Sequence, residues 1–294
     1  MVILHNFFNP THYEYFLNKY KDLPVTMFMD HVPNLEQLSL NRTKIYLLHE
    51  PNELFRVHDW VEQNYFLFDT VLTYNKHLLK KLPNAVEFSF GLVHTEDKEY
   101  YNKFITPEKE FKVSFLCGTT NWAEGHKFRQ RLYKLKKEIK IPKEWKYVLE
   151  DFDVSKQVRP GYTHYSKDLT HVPNGEVPEY FGKRILFTDF MFHVAVENVK
   201  IDNWYTEKIA QSFATKTVPI YWGCPNLEEL GYDERGVIRF NSEEELVRIV
   251  NNLTPEDYYS RLPYIEYNYQ VAMEDTFRNK LSLFLDQIKS ANNL

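Results

Sequence analysis

Short apolar runs of strand length recur along this chain, and each is followed, after a brief connection, by a segment with helical periodicity. The first series is "VILHNFF" (2–8), "VTMFMD" ending at Asp30, "KIYLLHE" ending at His49 and Glu50, "FDTVLTY" (68–74) and "NAVEFSFG" (84–91). Helical patterns lie between them over 12–20, 52–63 and 75–81. Alternation with short links predicts an α/β fold, because parallel strands need a crossover and a helix supplies it. The polar stretch "HTEDKEYYNKFITPEKE" (94–110) interrupts the pattern. A second series then runs through "FKVSFLCG" (111–118), a basic helix over 126–140, "WKYVLE" (145–150), "RILFTDFMFHVAVEN" (184–198), "TVPIYWG" (217–223) and "GVIRF" (236–240). The segment 151–184 shows weak periodicity and reads as a long irregular connection.

Two successive parallel sheets are expected: residues 1–95 as an N-terminal domain, 96–110 as a linker, and 111–267 as a second domain. A last helix over 268–294 is expected to pack back on the first domain. Ser242 with Glu245, and Thr254 followed by Pro255, mark two capped helices before it. The 294 residues suffice for two such domains, and 43% hydrophobic residues supply their cores. With 36 Lys plus Arg against 41 Asp plus Glu, the charge of −5 argues against a nucleic-acid binder. Cys117 and Cys224 have no metal-type spacing. No apolar stretch reaches transmembrane length, and the N-terminus has no basic region before its apolar run. The expectation is a cytoplasmic protein.

Charge gathers at two helix starts. In "ENVKIDNWYTEKIAQSFATKTVPIYWGCPN" (197–226), Glu197 and Asn198 close a strand, while Glu207 and Lys208 open a helix. Ligands of open α/β sheets bind at that edge, where free N–H groups and the helix dipole favour phosphate. Lys208 suits a pyrophosphate and Glu207 a ribose diol. Equally, Glu followed by Lys is common on a solvated helix face. In "CGTTNWAEGHKFRQRLYKLKKE" (117–138), a Gly turn precedes His126, Lys127, Arg129 and Arg131, and Arg129 could fork two diphosphate oxygens. Its alternative is a basic surface helix. Neither G-x-G-x-x-G nor G-x-x-x-x-G-K-[ST] occurs, which disfavours a dehydrogenase or P-loop NTPase.

The stretch 192–226, "FHVAVENVKIDNWYTEKIAQSFATKTVPIYWGCPN", resembles the donor-binding signature of family 10 glycosyltransferases, the α1,3/4-fucosyltransferases. Their pattern is roughly F-x-x-x-F-E-N, a short loop, Y-x-T-E-K, a helix, then V-P-I-x-x-G-x-P, and the likeness extends over 187–240. It is fainter at "FLCGTTNWAEGHKFR" (115–129), and the first hundred residues share only the strand–helix order. The resemblance implies a GT-B fold of two Rossmann-like domains with parallel sheets facing a cleft, the sugar nucleotide on the second, and an inverting, metal-independent transfer. By motif position it implies that Lys208 and Arg129, with Lys127 beside them, hold the pyrophosphate, and that Glu207 holds the ribose. Glu197 and Asn198 would shape the pocket, Trp204 and Tyr205 would stand beside the donor, and Tyr221, Trp222 and Gly223 would form the turn beneath it. Trp204 stands where the family usually has Tyr, which leaves the nucleotide and sugar open. GDP-fucose is the default donor, and a UDP-sugar such as UDP-xylose is the alternative.

An inverting transfer needs a base for the acceptor hydroxyl proton. The resemblance puts it after a strand of the first domain, yet "LTYNKHLLKK" (72–81), the best local match, has no carboxylate. Among the strand ends, Glu50 is the first choice, with His49, Asp30 beside His31, and Glu87 as alternates. Asp151 and Asp153 form a D-x-D that would hold a metal in a metal-dependent transferase. His164, His171 and His193 match no zinc spacing. The sequence thus points to a glycosyltransferase of bacterial or viral type, in the host cytoplasm if viral, acting on a nucleotide sugar and a glycan acceptor without a cofactor. A glycan- or nucleotide-binding module without turnover is the other class.

Overall fold

The computed structural model describes residues 2–6, 10–91, 108–147 and 188–291. Their contacts divide into two compact units: residues 2–6, 10–91, 201–204 and 275–291 in one, and 108–147, 188–200 and 205–274 in the other. Of the expected linker, only residues 108–110 are described, and Glu110 already starts a strand of the second unit.

The first unit holds a parallel sheet with strands in chain order: β1 (Ile3–His5), β2 (Val25–Met29), β3 (Thr43–Leu48), β4 (Thr70–Thr73) and β5 (Ala85–Glu87). Its helices are α1 (Pro10–Lys19), α2 (Leu35–Leu38), α3 (Asn52–Phe55), α4 (His58–Asn64) and α5 (Lys76–Lys81). The central strands are apolar on both faces, as a covered parallel sheet requires. Met27, Met29, Ile45 and Leu47 pack on one side with Phe16 and Tyr20, and Phe28, Tyr46 and Leu48 on the other with Val57, Val61 and Leu78. The helix expected over 52–63 breaks at Arg56, whose φ of 55° ends α3. Asn52 bridges the break, taking the Arg56 N–H on its main-chain carbonyl and the His58 N–H on its side chain at 3.1 Å.

In the second unit the strands are β6 (Glu110–Cys117), β7 (Lys143–Tyr147), β8 (Phe190–Val196), β9 (Val218–Trp222) and β10 (Ile238–Arg239). All neighbours are parallel, in the order β10-β9-β8-β6-β7. Strand order therefore reverses between β6 and β8, where loops leave in opposite directions and open a crevice. Pro219 is tolerated inside β9 because β10 pairs only with Ile220 and Tyr221. Its described α-helices are α6 (Glu124–Lys134), α7 (Glu207–Ala214), α8 (Glu243–Asn251), α9 (Pro255–Tyr259) and α10 (Leu262–Glu274).

The single helix expected from 268 is two helices, α10 and α11 (Phe277–Ala291). Thr276 starts the second by accepting the Asn279 N–H on its hydroxyl at 3.2 Å and the Lys280 N–H on its carbonyl at 3.0 Å. Helix α11 belongs to the first unit, where Phe277, Leu281 and Leu285 join the core beneath β1–β4. Among the described residues no helix is long and apolar enough to cross a membrane.

Candidate functional site

A cavity of about 290 Å³ opens at the reversal point of the second sheet. Its walls come from the end of β6 and its loop (Leu116, Gly118, Thr120), the end of β8 (Val196, Asn198) and the first turns of α6 and α7. Both helices are eight residues or longer, and both present their N-terminal ends here. His126, Arg129, Glu207, Lys208 and Gln211 line the space between them. Of the sequence-predicted donor residues, Asn198, Arg129, Glu207 and Lys208 thus share one cavity. Lys127 is exposed and outside the lining.

Arg129 is more committed than its sequence suggests. Its guanidinium donates to the carbonyls of Val196 and Glu197 and, at 2.8 Å, to the Asn198 side chain. The fork expected to grip a diphosphate also ties α6 to the end of β8. Lys208 Nζ lies 3.0 Å from Thr206 Oγ1, 3.4 Å from Glu207 Oε1 and 3.6 Å from Glu197 Oε2. His126 accepts the Ala123 N–H on Nδ1 at 3.2 Å, so the ring proton sits on Nε2. Burial, then Arg129 and Lys208, push its pKa down to about 4, which makes it a neutral donor at pH 7 and not a third cation.

Beneath the cavity lies a buried support. Glu197 has no exposed surface; it accepts the Thr206 N–H at 3.0 Å and the Thr206 hydroxyl at 2.7 Å. Thr206 in turn caps α7, so the Glu197 carboxylate fixes the start of that helix. Tyr221, also fully buried, donates to Glu197 at 3.3 Å and accepts the Cys224 N–H at 3.0 Å. Gly223 is required here: a Cβ would fall 2.3 Å from the Tyr221 hydroxyl and 2.4 Å from Glu197 Cγ. Glu197, expected at the pocket wall, lies beneath it together with Tyr221 and Gly223 of the expected turn. Burial raises the Glu197 pKa, and Lys208 opposes the rise. Tyr205 is buried against Tyr232, with ring centroids 5.5 Å apart, and does not line the cavity.

Trp204 departs furthest from expectation. It is 2% exposed and belongs to the first unit, where its indole Nε1 donates to the His49 carbonyl at 2.9 Å. Asn203, at a φ of 61°, donates to the Tyr74 carbonyl and to Glu87 Oε1, each at 3.3 Å. Four base candidates sit along the strand ends of that unit. Asp30 is 4% exposed and takes one main-chain N–H on each oxygen, from His49 and Glu50. His49 stacks on Phe90 at 4.5 Å. Glu87 is exposed. Glu50 is intermediate, its side chain 20% exposed and 3.8 Å from His49 Nε2. Asp151, Asp153, His164 and His171 lie outside the described residues. His193 is buried with Nδ1 2.8 Å from Ser114 Oγ, and burial pushes its pKa down to about 3. No group of three or more potential metal ligands occurs among the described residues.

No protein-family model matches the chain. Solved structures do. An α1,3-fucosyltransferase superposes with a TM-score of 0.53 at 14% identity, over 93% of this chain and 89% of that one. The same kind of enzyme solved with GDP-fucose gives 0.51 at 13%, over 93% and 90%. A UDP-forming α,α-trehalose-phosphate synthase from Burkholderia vietnamiensis gives 0.55 at 10%, over 90% and 71%. The fold is that of the GT-B glycosyltransferases.

Within this GT-B frame the sequence under-reports three cavity features. Gln211 lies one turn beyond Glu207 on α7 and looks like an ordinary helix residue. His126 reads as a cation until its burial is known. Gly125 permits the whole arrangement: a Cβ there would lie 1.7 Å from the Glu197 carbonyl oxygen, and its own N–H donates to the Asn198 carbonyl at 2.8 Å. Its signal is visible only as a glycine inside the first turn of a helix, where glycine is otherwise unfavourable.

Proposed function

We propose that the chain is a family 10-type glycosyltransferase that moves a sugar from a nucleoside diphosphate to a glycan hydroxyl, with GDP-fucose as the first donor to try. The observation that carries this reading is the cavity at the β6/β8 reversal, where two helix N-termini, Arg129, Lys208 and the neutral donor His126 converge. That set suits a diphosphate. Glu207, on the same lining, suits a ribose diol.

In the proposed reaction the acceptor oxygen attacks the anomeric carbon while the bond from that carbon to the diphosphate breaks. The electron pair leaves with the nucleoside diphosphate, and the hydroxyl proton passes to Glu50. Asp30 has both oxygens on main-chain N–H groups, His49 is stacked on Phe90, and Glu87 is open to water. Glu50 combines partial burial with a strand-end position, which supports it as the base. Arg129 and Lys208 supply the countercharge to the leaving group, so turnover is expected to survive EDTA. The decisive test is a thermal-shift panel of GDP, UDP and their sugars, followed by transfer assays with whichever donor raises Tm. A panel with no shift would overturn the reading; a shift with UDP-sugars alone would replace the donor.

A further inference from the structure

His49 and Glu50 follow the last residue of β3, beyond the ladder. Pairing with β2 ends at Leu47 and with β4 at Leu48, and the next main-chain groups are the N–H and carbonyl of His49 and of Glu50. Side chains take over all four. Asp30 accepts the His49 N–H on Oδ1 at 3.0 Å and the Glu50 N–H on Oδ2 at 3.1 Å. The Trp204 indole donates to the His49 carbonyl at 2.9 Å, and His58 Nε2 donates to the Glu50 carbonyl at 2.9 Å. The His58 ring is itself oriented, with Nδ1 accepting from the Asn75 amide at 3.2 Å.

This arrangement is costly for a strand end that does nothing else. Asp30 is a buried carboxylate held at a φ of 47°, where residues other than glycine are uncommon. Burial raises its pKa, and the two N–H donors oppose that rise. His58 is buried and deprived of part of its proton affinity by the same desolvation. Three side chains, from the residue after β2, from α4 and from the 201–204 segment, converge on two residues, one of which carries the carboxylate assigned to proton transfer. A general base must be held within a fraction of an ångström of its proton, and a misplacement of about 1 Å costs on the order of 10²-fold.

We propose that Asp30, His58 and Trp204 are positioning residues that clamp the main chain of His49–Glu50 and so set where the Glu50 carboxylate acts. The role rests on Glu50 being the base. It also reassigns Trp204, which the donor motif would place against the nucleotide sugar.

The test is steady-state kinetics on the full chain with GDP-fucose, or with UDP-xylose if GDP-fucose is inert. Asp30→Asn keeps the shape but offers only one acceptor oxygen to two N–H donors. It is expected to lower kcat about tenfold to 100-fold with the donor KM within about twofold. In a Glu50→Gln background the same change is expected to cost nothing further. Trp204→Phe removes the indole donor together with part of the buried ring, and serves where Asp30→Asn does not fold; its expected signature is the same. A raised donor KM in Trp204→Phe would make it a donor contact and overturn the clamp, as would an equal loss in both backgrounds. Full activity in Glu50→Gln would instead remove the base assignment, and the clamp's purpose with it. An inactive Glu50→Gln beside fully active Asp30→Asn and Trp204→Phe would remove the clamp alone. A wild-type chain that turns over neither donor would overturn both.

Discussion

Lys208 and Arg129 line the same cavity, yet their removal should read differently. Lys208 touches Thr206, Glu207 and the buried Glu197 through its amine, and none of those contacts closes a main-chain hydrogen bond. Lys208→Ala is expected to lower turnover by about 10²-fold or more with little change in Tm. Glu197 then loses the cation that opposes the upward push of burial on its pKa, while its bonds to Thr206 stay in place. Arg129→Lys should lose stability as well, by about 1–3 kcal/mol, because the carbonyls of Val196 and Glu197 lose their donor. Turnover and thermal melts on the two variants separate these effects; an Arg129→Lys protein with unchanged Tm would show that the fork serves the ligand alone. A third residue prediction concerns pH. Lys109 is 8% exposed and donates to Thr188 and Thr217, and burial pushes its pKa down to about 7 from 10.5. Between those values the unfolded chain binds the extra proton, so stability falls as pH drops from about 10.5 to about 7 and levels off below. Lys109→Met should flatten that slope in a comparison of melts across the range.

At the scale of elements, the site depends on how closely the first turn of α6 crosses the end of β8. Gly125→Ala places a methyl carbon 1.7 Å from the Glu197 carbonyl oxygen, a main-chain atom that cannot swing aside. The helix must back away, taking His126 and Arg129 with it. Loss of folded protein, or a drop of several °C in Tm with no nucleotide-induced shift, is expected; an intact thermal shift would mean the approach is dispensable. The helix start could be read from the Gly turn and basic run after β6, and the start of α7 from Thr206-Glu207 after β8. Strands were legible because apolar runs on both faces leave a buried parallel strand as the economical reading. What stayed hidden has a common cause. Asp30, Arg56 and Asn203 take positive φ without being glycine, so the bends that place Glu50, split the helix over 52–63 and swing Trp204 into the first unit carry no punctuation in the sequence. Arg129 was legible as a charge, but its partners are main-chain carbonyls some 67 residues away, which no local pattern reveals.

For the molecule as a whole, the division into two units predicts two stabilities that can be moved separately. Among the described residues the cavity lining belongs to the second unit, whereas the core under β1–β4 takes in helix α11. Leu281 in that helix is fully buried, so Leu281→Ala should cost the first unit about 2–5 kcal/mol through lost burial and the cavity left behind. A nucleoside diphosphate that binds the folded second unit stabilises it by mass action, about 2.7 kcal/mol at a concentration of 100 times Kd. Denaturation followed by hydrogen exchange, peptide by peptide, distinguishes the two. The substitution is expected to release protection in β2, β3 and α11, and GDP to increase it in β6, β8 and α7. If GDP protected β2 and β3 as strongly as β8, the two units would unfold as one, and a single free energy would describe the chain.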